Sequence, residues 1–208
     1  MSKYGHRKLD WFEAIVNKLG GEDAAERFLR DELSVSEPTR QWREADGVIY
    51  FSVMSDGTTG EQWIARLESK NLRVGDYAKQ VLRHEDFKPT SGVLTEVAVL
   101  KGMLFEDSDR ITSKIRAAAD KRTLQKPNAE IACLIREKFT DKEIEEMGLW
   151  YIIAMHEPIN DSDGGPRLLG ADRVPDGRWL DACNDGPDDR WSRSIGFAFA
   201  VSQVSSSI

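Results

Sequence analysis

Gly177-Arg178-Trp179-Leu180-Asp181-Ala182-Cys183-Asn184-Asp185-Gly186-Pro187-Asp188-Asp189-Arg190-Trp191-Ser192-Arg193-Ser194-Ile195-Gly196-Phe197-Ala198-Phe199-Ala200-Val201-Ser202-Gln203 is the stretch on which the reading of this 208-residue chain turns. Trp, Gly, Pro and Phe form a frame. Trp179 and Trp191 are large enough to anchor strands, and their indole N–H groups seek partners once buried. Gly186-Pro187 sets a turn. Gly196 lets the chain bend before residues 197–201, whose apolar side chains read as a buried terminal strand. Arg190 is expected to brace the loop through bonds to carbonyls or carboxylates. Small, polar or unexpected residues fill the spaces between: Asp181, Ala182, Cys183, Asn184, Gly186, Asp189, Ser192, Arg193, Ser194 and Ile195. Short polar and aromatic side chains on a rigid frame suit recognition, because they lose little entropy on binding.

Upstream, Leu149-Trp150-Tyr151-Ile152-Ile153-Ala154-Met155 reads as a buried strand, followed by short strands between Asp, Gly and Pro turns. Thr140-Asp141-Lys142-Glu143 is a capping box, which opens a short helix ending at Gly148. Pro127 sits where a helix starts, with Ile131, Leu134, Ile135 and Phe139 as its apolar stripe. Asp107 and Asp109 offer caps for a helix carrying Ile111, Ile115 and Ala118 on one face. Residues 93–100 and 102–105 read as a strand pair.

Earlier still, Val48-Ile49-Tyr50-Phe51-Ser52-Val53 has the β-branched and aromatic content of a strand, and Ser55-Asp56-Gly57 turns the chain. One helix carries Trp63, Ile64 and Leu67, and the next Tyr77, Ala78, Val81 and Leu82. At the start, Phe12, Ile15, Val16 and Leu19 follow helical spacing, and Gly20-Gly21 ends that helix. A second helix over 23–32 is expected to bury Ala25, Phe28 and Leu29, and Ser36-Glu37-Pro38 marks a loop. Phe87-Lys88-Pro89-Thr90-Ser91-Gly92 is the best linker. The order predicts an α+β chain in two parts: a small α+β unit over 1–86 and a second domain over 90–208.

Forty per cent hydrophobic and 31% charged residues fit an ordinary globular protein. No stretch approaches the roughly 20 apolar residues of a membrane span. Trp11-Phe12-Glu13 interrupts the apolar run that a signal peptide would need after the basic first eight residues, so a cytoplasmic protein is expected. The net charge of −7 argues against nucleic acid as a partner, and clusters such as Arg116 with Lys121 and Arg122 read as solvated helix faces. Cys133, in an apolar helical stretch, reads as a small core residue, and two cysteines make neither a disulfide framework nor a metal site.

Residues 90–208 resemble C-type-lectin-fold proteins. The segment 177–203 resembles the variable region of members diversified by retroelements, through Gly177-Arg178-Trp179-Leu180, Pro187-Asp188, Arg190-Trp191, Gly196-Phe197 and Phe199. Pro127 through Glu130 resembles the Leu-Pro-x-x-Glu helix start of that fold. The chain departs from the family in its ending, with Ala198-Phe199 after Gly196-Phe197 where members often have Arg-Leu. The resemblance implies a ligand-binding protein whose C-terminal region is rewritten by adenine-directed errors to recognise variable protein or glycan targets. It implies that terminal strands pair near each other and that irregular loops cross one face. The ten residues named above, with Trp191, would contact the ligand. Cys183 and Ile195 are expected to be exposed without a packing reason. Members of this group typically need no calcium, so neither metal nor cofactor is expected.

The competing expectation is an enzyme on the related formylglycine-generating fold, with a pocket near His156 and Glu157. Those enzymes use a cysteine pair near the terminal region, whereas Cys183 stands alone there. Asn160-Asp161-Ser162-Asp163-Gly164-Gly165 faintly resembles a calcium loop but lacks regular ligand spacing and a distal Glu. Gly57-Thr58-Thr59-Gly60 is followed by no Gly-Lys-Ser/Thr and is not a phosphate loop. A third possibility is an adaptor that works through its N-terminal unit.

Overall fold

A computed structural model describes residues 9–34, 40–174 and 177–202, with side chains from Trp11 onward. The basic first eight residues, the loop at Ser36-Glu37-Pro38, Gln203 and the serine-rich end lie outside the described residues. Among those described, the chain is mixed α and β, with seven α-helices and ten strands in one sheet. It divides into two units, residues 1–40 and 41–208.

The first unit holds α1 (Leu9–Leu19) and α2 (Glu22–Leu29). Gly20 and Gly21 separate them with φ near +105° and +102°, a backbone that glycine adopts without strain. The expected helices are present, but α2 buries nothing, and Phe28 and Leu29 are exposed.

The second unit begins with the hairpin β1 (Arg43–Ala45) and β2 (Val48–Asp56). Then come α3 (Gly60–Ser69), β3 (Arg73–Val74), α4 (Asp76–Arg83) and β4 (Ser91–Lys101). The expected break between 86 and 90 is absent. β2 pairs antiparallel with β4 from Val48↔Leu100 to Asp56↔Ser91, so the strands on either side of the supposed linker are sheet neighbours. The linker itself is tied down. Thr90 N–H donates to buried Glu130 at 3.0 Å, and Asn128 donates to the Lys88 carbonyl at 2.6 Å. The unit expected over 1–86 therefore does not stand apart from 90–208.

The remaining elements are α5 (Thr112–Asp120), β5 (Leu124–Gln125), α6 (Glu130–Lys138), α7 (Asp141–Glu146) and β6 (Tyr151–Ala154). They are followed by β7 (Ile159–Asn160), β8 (Pro166–Val174), β9 (Gly177–Asn184) and β10 (Ile195–Val201). The sheet runs β1-β2-β4-β10-β6-β8-β9-β3, with β5 on β10 and β7 on β8. Most pairs are antiparallel; β10 with β6 and β9 with β3 are parallel. The second strand expected over 102–105 is absent: residues 102–104 form a 3-10 turn, and Gly102 lies against the carbonyls of Ser192, Arg193 and Ile195. The Thr140–Glu143 capping box opens α7 as read, and Gly148 follows it at φ +74°.

Alternation along the strands creates two cores. Val97, Val99, Ile152, Ala154, Leu169, Ala171, Leu180 and Ala198 face the helices α3, α4 and α6. Ala98, Leu100, Ile153, Met155, Leu168, Phe197 and Phe199 face the other way, where α5 contributes Ile115 and Ala119. In α5 it is Ala119, rather than Ala118, that completes the face with Ile115.

Candidate functional site: the β9 strand and the loop that returns to β10

β8 and β9 form a regular antiparallel hairpin from Arg167↔Asn184 to Val174↔Gly177. A period of two divides β9. Leu180 and Ala182 turn toward the helix-covered core, and Cys183 packs against the second core. Trp179 and Asp181, in phase with Cys183, share its face. Ala182 is therefore separated from its expected neighbours, and Cys183 has a packing role. Its thiol donates to the Leu168 carbonyl at 3.6 Å, and burial pushes its pKa up to about 12. That removes it as a thiolate nucleophile.

Residues 185–194 leave β9 and cover part of the second core through main-chain bonds. The first N–H groups of α5 have no side-chain cap. They donate to the loop: Thr112 N–H to the Asp189 carbonyl at 3.2 Å and Ser113 N–H to the Pro187 carbonyl at 3.0 Å. These are donors that a helix start must satisfy somewhere. Asp189 closes the Gly186 turn by accepting the Gly186 N–H at 2.8 Å. Trp191 is half-buried; its indole donates to Thr112 Oγ1 at 2.9 Å and its ring meets Phe197 edge-on. Ile195 packs against the same core.

Two arginines hold the loop, and neither is the expected Arg190, which is exposed. Arg110, buried, donates to the carbonyls of Gly102 at 3.0 Å and Phe105 at 3.1 Å, and Trp191 N–H returns a bond to the Arg110 carbonyl. Arg116 reaches Asp185 at 2.7 Å and also donates to the carbonyls of Met155 and His156. Sequence reading missed Arg110, Arg116 and Asp185. By sequence Arg116 belongs to a solvated basic cluster, and nothing in its spacing announces a partner 69 positions away.

Of the residues expected to meet a ligand, Asn184, Ser192, Arg193 and Ser194 are exposed. Asp181, Ala182, Cys183, Gly186, Asp189, Trp191 and Ile195 are half-buried. Asp188 and Arg190 join the exposed set. Asp181 spends one carboxylate oxygen on the neighbouring Ala182 N–H at 2.8 Å. Asp172, which sequence reading also passed over, pairs in register with Trp179 on the adjoining strand. Burial, and then Asp181, raise its carboxyl to about 6.

The competing pocket exists as a cleft of 540 Å³ lined by Asp86, Asn128, His156 and Glu157, among others. His156 is nevertheless a structural group. Its Nε2 accepts the Leu169 N–H at 3.0 Å, which fixes the proton on Nδ1, and Nδ1 donates to the Glu157 carbonyl at 2.6 Å. Burial lowers its pKa to about 4. Glu157 extends into solvent and pairs with Lys126. The resemblance to a calcium loop has a similar explanation. Asp161 accepts the N–H groups of Asp163 and Gly165 and the Nε of Arg167 at 2.9, 2.8 and 2.6 Å, leaving the carboxylate fully engaged. Among the described residues no group of three or more His, Cys, Asp or Glu is placed to hold a metal ion, and no helix is long and apolar enough to cross a membrane.

The exposed side chains of residues 184–194 thus form a displayed surface on a fixed backbone. No family model matches this chain, nor does any curated protein or solved structure.

Proposed function

We propose that the chain is a ligand-binding protein of C-type-lectin-like architecture, and that its segment 177–203 is diversified by a retroelement to recognise variable protein or glycan targets. The observation that carries this reading is the division of labour after β9. Asp185, Trp191 and Ile195 attach the loop, while Asn184, Asp188, Arg190, Ser192, Arg193 and Ser194 are exposed. A loop held mainly by its backbone tolerates replacement of its outward side chains. The architecture lends further support. β4 and β10, near the two ends of the 90–208 segment, lie side by side and antiparallel, with α5 and α6 between them in the chain.

The test is to sequence the gene's surroundings for a near-identical copy of the codons for 177–203 beside a reverse transcriptase. The reading expects the two copies to differ only at adenines, with the differences concentrated at the exposed positions and absent from Asp185 and Phe197. Absence of such a copy, or differences spread evenly over buried and exposed codons, would overturn it.

A further inference from the structure

α1 and α2 have no core of their own. No described side chain from Trp11 to Ser34 is buried. Partial burial falls mainly on Val16, Leu19, Ala24 and Ala25, beside the Gly20-Gly21 turn, where a Cβ on Gly20 would touch Ala24 at 3.7 Å. The larger apolar groups stand outside it: Trp11 is 66% exposed, Phe12 52%, Ile15 42%, Phe28 41% and Leu29 80%. Helices of 11 and 8 residues are too short to persist in water without a tertiary contact.

Helical spacing gathers these groups. Trp11 and Ile15 are four apart and Phe12 and Ile15 three apart, so all three share one face of α1, which the half-buried Leu19 continues. On α2, Phe28 and Leu29 stand three and four residues after Ala25. The five exposed side chains show roughly 600 Å² of largely apolar surface. Apolar surface on that scale marks a contact. Matched against a second copy, the same side chains remove about 1,200 Å² from water, which reaches the lower edge of a specific interface.

Charge favours the second copy over other covers. Between Glu13 and Glu32 six Asp and Glu stand against three Lys and Arg, a balance that repels an anionic bilayer or a nucleic acid. On α1, Glu13 and Lys18 are exposed, and neither makes an ion pair among the described residues. Two copies of α1 laid antiparallel about a two-fold axis near Ile15 bring Lys18 of each to Glu13 of the other. The same register sets Phe12 against Leu19 and Trp11 against Gly20, where no side chain competes for the space. A parallel pair would instead place like charges side by side.

We propose that α1 is a self-association surface, through which two chains pair antiparallel with Trp11, Phe12 and Ile15 at the centre. α2 of each chain adds Phe28 and Leu29. Two helix pairs joined in this way make a four-helix arrangement, in which short amphipathic helices find a core. The pairing does not rest on reading the terminal loop as a recognition surface. A missing template leaves it untouched, and a monomeric chain leaves the binding function untouched.

The experiment is sedimentation equilibrium of the full chain from about 1 to about 300 μM. The mass is expected to rise from one chain to two with a dissociation constant of about 10 μM, in keeping with a small interface. Ile15→Glu should weaken the pairing by at least about thirtyfold, because it puts a charge at the centre of the contact. Glu is as good a helix former as Ile, so that loss reports the contact rather than the helix. Glu13→Lys should weaken the pairing by about threefold to tenfold, and Glu13→Lys combined with Lys18→Glu should restore it. A monomer at every concentration, an Ile15→Glu variant that pairs as the wild type does, or a double variant no tighter than Glu13→Lys would overturn the proposal. Because the first eight residues are basic, mixed phosphatidylcholine–phosphatidylglycerol vesicles form the second arm. A chain that stays monomeric and moves onto them would assign the apolar stripe to lipid and equally overturn the pairing.

Discussion

Over one face of the sheet, α3, α4 and α6 bury Trp63, Ile64, Leu67, Val81, Leu82, Ile131, Leu134 and Ile135. Over the other, α5 buries Ile115 and Ala119, and residues 185–195 add only the half-buried Trp191 and Ile195. The helical cover spends its side chains on contact, so a change along those stripes alters packing. The loop cover is fastened by carbonyls and N–H groups and by a few side chains, chiefly Asp185, Asp189 and Trp191. A surface can be rewritten when the backbone, rather than the side chains, fixes its position.

The largest effect is expected from cutting the loop's ionic anchor. Arg116→Met leaves Asp185, whose side chain is 7% exposed, without its partner. An uncompensated buried carboxylate costs about 3 kcal/mol or more. Denaturant unfolding should show that loss, and Arg116→Met combined with Asp185→Leu should recover much of it, since an apolar pair removes the stranded charge. If the single variant loses less than about 1 kcal/mol, the loop is held by something else.

The frame beneath both covers is the next most sensitive place. His156→Ala strands the Leu169 N–H and opens a cavity, costing about 2 kcal/mol at pH 7. The wild type should also carry a pH signature. Below pH 6.5 the unfolded chain takes up a proton that folded His156 refuses until about pH 4, so stability declines across that window by up to about 3 kcal/mol. The difference between wild type and His156→Ala, measured from pH 7 to pH 4, should close and then change sign as the pH approaches about 4. A constant difference would mean that His156 carries no such linkage.

How much of this was legible in sequence differs between the two covers for the same reason. The stripes of α3, α4 and α6 and the capping box of α7 are local patterns, and they read correctly. The domain break failed because Phe87–Gly92 has a linker's composition, whereas its ties to Glu130 and Asn128 span 40 positions. The terminal segment was legible as frame and filling, but alternation along β9 could not be assigned to faces before the register with β8 was known. Composition alone therefore places Ala182 beside Asp181 and Cys183 and leaves Cys183 and Ile195 to solvent, whereas Ala182 faces the helix-covered core and Cys183 and Ile195 close the second one. Arg190 and Arg110 are both arginines near turns, and only the fold brings Arg110, rather than the expected Arg190, to the carbonyls.

A smaller effect is expected at the margin of the loop-covered face. Asp172 is only about half removed from water, so its raised carboxyl converts to stability at a discount. The folded state keeps a proton that the unfolded chain begins to lose near pH 3.8; the group therefore costs stability as pH rises through about 6. Asp172→Asn should stabilise the protein by about 1 kcal/mol at pH 7, with the gain fading as pH falls to about 4. A gain that persists at pH 4 would point to packing rather than charge.

The smallest expected effect bears most on function. Ser192 and Ser194 touch each other through their hydroxyls at 3.0 Å, and the turn that carries them is closed by Ile195 N–H to the Ser192 carbonyl at 3.2 Å and by Trp150 N–H to the Ser194 carbonyl at 2.8 Å. Both closing bonds are made by main chain, and any residue can supply them. Ser192→Ala with Ser194→Ala should therefore change stability by less than about 0.5 kcal/mol, whereas Ile195→Ser, which removes apolar bulk from the second core and puts a hydroxyl there, should cost between about 1 and 2 kcal/mol. Unfolding curves for the two variants, taken side by side, measure the boundary between frame and display. If the serine pair costs as much as Ile195→Ser, those hydroxyls belong to the frame, and the loop has less freedom to vary than its exposure implies.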